Sequence, residues 1–98
     1  LRLFKKINLE SEEFEEKLRD STDDEDVLAL LDEAHEELEK ARINIENAES
    51  AYEEVKLPGT PLIKFAEGNN YLRTAKVNLI AANLKLKQAF AEITRLKK

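Results

Sequence analysis

The chain has no cysteine, methionine or tryptophan, only two glycines and two prolines, and aromatic side chains at 6% of its 98 positions. Without cysteine there is no disulfide, thiolate metal site or cysteine nucleophile, and nothing marks an oxidising compartment, so the default expectation is the cytoplasm. So few glycines and prolines leave little material for the repeated tight turns of a sheet protein. The two glycines are isolated, which excludes a phosphate-cradling loop, and Ser11, Ser21 and Ser50 lie in no nucleophile-elbow pattern. Long apolar runs are missing as well. The longest, Val27 to Leu31, is five residues where a bilayer needs about 20, and no charged-then-apolar export signal opens the chain. No membrane partner and no cofactor are expected.

What the sequence does have is 42% apolar and 38% charged residues, the balance of long amphipathic helices, and a length that fits one domain over residues 1–98. The charge is unevenly spread. Residues 1–59 carry 8 basic and 19 acidic side chains, or −11, while residues 60–98 carry 8 and 2, or +6, which gives the net −5. Acidic and basic helices lying side by side would neutralise one another. Any basic surface would then have an acidic neighbour that repels phosphate, so no nucleic-acid partner is expected.

Helix boundaries follow from capping chemistry. Thr22-Asp23-Asp24-Glu25 has the spacing of a capping box, with Thr22 as the cap and Glu25 reaching back to it. Pro58 and Gly59 stop one helix, Thr60 caps the next, and Pro61 occupies a first-turn position that needs no amide hydrogen. These marks predict helix one at about 2–19, helix two at about 22–56 and helix three at about 60–97. Gly68-Asn69-Asn70 is a run of poor helix formers, yet the apolar phase survives it, so helix three is expected to be continuous.

Helix two carries apolar or small residues at Val27, Leu31, Ala34, Leu38, Ala41, Ile45, Ala48, Tyr52 and Val55, with spacings of 4 and 3 alternating without a slip. Helix three does the same at Phe65, Gly68, Leu72, Ala75, Leu79, Ala82, Leu86, Ala89, Ile93 and Leu96. Folding the chain at Gly59 or Thr60 pairs positions whose numbers add to 120, so Tyr52 meets Gly68, Ala41 meets Leu79 and Leu31 meets Ala89. Nearly every layer joins a bulky residue to a small one, which lets the backbones approach closely. The expected fold is all-α: a long antiparallel Ala-rich coiled-coil hairpin, about 50 Å long at 1.5 Å per residue, plus a shorter N-terminal helix in an up-down-up arrangement. That helix has Phe4, Ile7, Phe14 and Leu18 on one stripe, interrupted by Ser11.

Helix three also has a second apolar stripe, at Val77, Ile80, Leu84 and Ala91, set about 150° from the seam at 100° per residue. Phe90 and Ile63 extend it. Helix two shows no comparable second stripe, with Glu33, Glu36, Glu39, Lys40, Glu46, Asn47, Glu53 and Glu54 among its outer positions. The short first helix cannot cover a face that runs nearly the length of helix three. The predicted dimer interface is therefore Ile63, Val77, Ile80, Leu84, Phe90 and Ala91, the expected assembly is a homodimer, and another helical protein is a further expected partner.

Chemistry-bearing patterns are sparse. The single histidine, His35, lies one helical turn from Asp32, as in half of a di-metal carboxylate site; opposite it the seam register places Asn83, an ordinary hydrogen-bonding neighbour. Asn44 facing Asn78 reads as a register-fixing pair. Glu12-Glu13-Phe14-Glu15-Glu16 with Glu33, Glu36 and Glu37 resembles the magnesium-binding acidic motifs of all-helical nucleotide pyrophosphohydrolases, although most of these carboxylates fall away from the seam. Two readings result. The first is a non-enzymatic self-association or scaffold protein with no catalytic or metal residues; the alternative, implied by the resemblance, is a small metal-dependent enzyme with its site at a dimer interface.

Overall fold

A computed structural model describes residues 1–55, 59 and 61–97. The described chain is three helices: α1 over Arg2–Asp20, α2 over Glu25–Glu54 and α3 over Pro61–Leu96. No residue of α2 is glycine or proline, and α3 holds proline only in its first position, so high-propensity side chains set the interior of both. Helix α3 runs through Gly68, Asn69 and Asn70 without a break. At the turn, Gly59 has φ +131°, a conformation that strains any side chain. The expected cap Thr60 and stop Pro58 lie outside the described residues.

The start of α2 corrects the expected cap. Asp24 is the N-cap, its carboxylate accepting from the Val27 amide at 3.0 Å, and the helix begins at Glu25 rather than near Thr22. Thr22 instead accepts the Asp24 amide at 3.2 Å. Both residues suit a cap; Asp24 takes the role because its oxygen reaches the amide three residues on, inside the first turn.

Helices α2 and α3 lie antiparallel, as the ion pairs Glu33–Lys85 and Glu54–Lys64, both 2.9 Å, and the 2.9 Å bond from Asn44 to Asn78 require. The pairing is the one that adds to 120. Val27, Leu31, Ala34, Leu86, Ala89 and Ile93 form one buried cluster with Leu18, and Leu38, Ala41, Leu79 and Ala82 form another. A Cβ added to Gly68 would stand 2.5 Å from the Tyr52 ring, so that layer closes only because one member is glycine. The molecule is a rod of 60 × 16 × 15 Å.

The seam is not equally buried along its length. From Val27 to Ala48 and from Ala75 to Ile93 it is closed, but Tyr52, Val55 and Leu72 are half-buried, and Phe65 and Leu96 are exposed. The reason toward the turn is the length of α1. At 19 residues it reaches about 28 Å, covering the hairpin from the Asp32 level to the Glu49 level and leaving the turn end as two helices only.

Helix α1 docks with a different face from the one expected. Its buried line is Asn8, Ser11, Glu15 and Leu18, while Phe4 and Ile7 are half-buried and Phe14 is exposed. The register is polar. Asn8 donates to the Leu38 carbonyl at 3.2 Å, Asn83 donates to the Ser11 hydroxyl at 3.1 Å, and Glu15 accepts from Arg19 at 2.5 Å. An apolar stripe centred on Phe4 to Leu18 would forgo the bonds from Asn8 to Leu38 and from Asn83 to Ser11, each worth about 0.5 to 1.5 kcal/mol. Rotating α1 toward its polar residues makes them.

Candidate functional site

Two regions of the rod bear on function: the outer face of α3 and the polar junction of α1 with α2. On α3, the apolar seam takes one side and helical periodicity carries the second stripe away from it. Ile63 is 58% exposed, Val77 62%, Ile80 53%, Leu84 56% and Phe90 52%. Ala91 is also exposed. All six residues marked from sequence therefore lie on the surface of the single chain.

The sequence reading missed what lies beside that stripe. Because α1 turns its polar line inward, Ile7 and Phe14 come round to the α3 side. Phe14 stacks obliquely on Phe90 with ring centroids 6.2 Å apart. Phe4 and Ile7 line a shallow groove with Leu79, Ile80 and the stem of Lys76. The apolar surface is thus a composite of two parallel helices, in which α1 widens the α3 stripe instead of covering it. The only signal available was the interruption of the α1 stripe by Ser11, which reads as a defect until Asn83 is placed opposite it.

Charge marks the same face. From Gly68 to Ala91, α3 carries no acidic residue, and its outward side bears Arg73, Lys76 and Lys87 at the ends of an uncharged window from Val77 to Leu84. The acidic side chains are mostly on α2, where Glu39 and Glu46 flank Arg42 and Glu33 reaches across to Lys85. Exposed pairs of this kind contribute little, about 0 to 1 kcal/mol each. Their effect is to leave the rod acidic on one side and apolar with cationic edges on the other.

At the second region His35 corrects another expectation. Its Nδ1 lies 3.0 Å from the Glu15 carboxylate, not against Asn83, which is occupied with Ser11. Asp32, the other member of the half-site, accepts from Arg19 at 2.9 Å. Both are therefore used to hold α1 in place, and Glu15 is the one buried carboxylate of the acidic run. Glu12 lines a surface groove with Glu15, His35 and Glu39. Burial first, then repulsion from Glu39, raises its carboxyl above the ordinary value, with Arg42 and His35 opposing. Among the described residues, no three His, Cys, Asp or Glu side chains are arranged as a metal-binding group.

Asn44 and Asn78 pair as expected, and Asn78 also donates to Glu37 at 3.1 Å, a member of the network that spacing did not suggest. No helix among the described residues is long and apolar enough to cross a membrane. No family model, curated protein or solved structure matches the chain.

Proposed function

We propose that this chain is a non-enzymatic helical association protein that pairs with a second copy of itself through the outer face of α3. The α2–α3 pair serves as the stiff element, an Ala-rich antiparallel coiled coil whose large-small layers keep the two backbones close. One observation carries the reading: four large apolar side chains on α3, Val77, Ile80, Leu84 and Phe90, are each more than half exposed, and Ile80 and Phe90 adjoin Ile7 and Phe14 of α1 on the same side of the rod. Scattered exposed apolar residues are ordinary, but a contiguous patch of this extent is a feature of interfaces. Completing the burial of each half-exposed side chain is worth on the order of 1 kcal/mol, half the value for full burial. A two-fold axis makes one stripe serve twice.

The test is light scattering across a dilution series. The expected result is a dimer at micromolar concentration that Ile80→Asp or Leu84→Asp converts to a monomer with full helicity. A compact wild-type monomer persisting at high micromolar concentration would overturn the proposal.

A further inference from the structure

We infer, resting on the self-association reading above for the face it uses, that the outer side of α3 also docks an amphipathic helix with acidic edges, carried by a different protein, which displaces the second copy. The ground is a set of cations without counterions. Most other basic side chains among the described residues have a carboxylate partner: Arg42 lies between Glu39 and Glu46, Lys85 reaches Glu33 and Lys64 reaches Glu54. Arg73, Lys76 and Lys87 are exposed, and none of the three is in an ion pair with a described residue. Arg73 donates to the side chain of Asn70 at 2.8 Å, an uncharged partner.

These cations share the direction of the apolar stripe. At 100° per residue Arg73, Lys76 and Lys87 fall within about 40° of Ile80, whereas Glu67 and Glu92 fall about 140° and about 120° away and are paired with Lys64 and Arg95. On α1 the charged residues within about 80° of Phe14 are Lys6, Glu10 and Lys17, so the composite face stays net positive. A second copy brings the same cations, and two-fold pairing in either direction therefore sets positive charge against positive charge. A helix whose apolar stripe is flanked by Asp or Glu brings the opposite sign. The stems of the three cations can then lie along apolar surface while their heads meet carboxylates.

Shape and total charge select a helix over a lipid surface. Phe4, Ile7, Leu79 and Ile80 line a groove between α1 and α3 with Lys76 at its side, and a groove between two helices is filled by a ridge of side chains from a third. An anionic bilayer is flat, and it would act on the whole chain, whose net charge is −5. Arg73 and Lys87 stand about 21 Å apart along α3 at 1.5 Å per residue, so a partner helix of about four turns with carboxylates toward both ends reaches all three cations.

The test uses two synthetic helices of about 20 residues with the same leucine stripe, one edged with glutamate and one with lysine. Fluorescence anisotropy follows peptide binding, and light scattering follows the dimer. The glutamate peptide binds, converts the dimer to a complex of one chain with one peptide, and is weakened by salt, whereas the lysine peptide does not bind. Replacing both exposed lysines, Lys76→Gln with Lys87→Gln, acts in opposite directions on the two occupants: it weakens the glutamate peptide by about 10-fold and tightens the dimer by about 3-fold. Equal binding of the two peptides, or a glutamate-peptide affinity that the double substitution leaves unchanged, overturns the acidic partner and leaves self-association standing. Binding to phosphatidylserine vesicles without binding of the glutamate peptide overturns it as well and assigns the face to a lipid surface. A wild-type chain that is monomeric throughout and still takes the glutamate peptide overturns self-association and supports the acidic partner.

Discussion

Replacing Gly68 by alanine sets two effects of known sign against each other. Alanine in place of glycine inside a helix gains about 1 kcal/mol from propensity. The added Cβ, however, would stand 2.5, 2.7 and 2.9 Å from three ring carbons of Tyr52, closer than such atoms approach. The ring is not free to yield without loss. Its hydroxyl donates to Asn69, and it stacks obliquely on Phe65 with centroids 5.7 Å apart. Moving it forfeits an aromatic contact worth about 0.5 to 1.5 kcal/mol and a hydrogen bond worth a similar amount. Together these come to about 2 kcal/mol, so Gly68→Ala should destabilise by about 1 kcal/mol net. In a Tyr52→Ala background the obstacle is gone, and the same substitution should stabilise by up to about 1 kcal/mol. Urea denaturation followed by far-UV circular dichroism measures all four members of the cycle, with a coupling energy of about 2 kcal/mol expected. A stabilised Gly68→Ala protein in the wild-type background would refute the close approach of α2 and α3 at this layer.

Two further outcomes test local claims. Asp24→Ala should cost about 0.5 to 2 kcal/mol through loss of the bond to the Val27 amide, and Thr22→Ala clearly less, since Thr22 holds only the Asp24 amide; a larger loss at Thr22 would make it the true cap. Glu12→Gln should raise the melting temperature slightly at pH 7. A carboxyl raised in the folded state adds stability below the ordinary carboxylate range and loses it as pH rises through the folded value, so the advantage of glutamine should disappear in acid. A difference that persists unchanged at low pH would argue against burial and Glu39 as the cause.

Periodicity and turn chemistry determined most of the architecture without help from tertiary structure. The alternating 3 and 4 spacing of Val27 through Ala48 and of Ala75 through Ile93 could be satisfied only by helices that bury those residues, and the glycine and prolines between them left one place for the chain to reverse. Pairing by numbers adding to 120 was legible because the layers are asymmetric: Gly68 fits Tyr52, and a shift by one turn would set large against large. The second stripe on α3 was legible for the same reason, being a surplus of apolar residues beyond what one seam can use.

What only the tertiary structure decided is how α1 turns. Its apolar residues alone point one way, whereas Asn8, Ser11 and Glu15 have partners at the Leu38 carbonyl, Asn83 and His35, from 20 to 72 positions away in sequence. A periodic pattern measures how much apolar surface a helix carries but contains no record of the polar groups it will meet. The hydrogen bonds that Asn8, Ser11 and Glu15 make across to the other two helices outweigh the gain from burying a few more methyl groups. That balance rotates α1, draws His35 to Glu15, and leaves Ile7 and Phe14 beside the exposed stripe of α3.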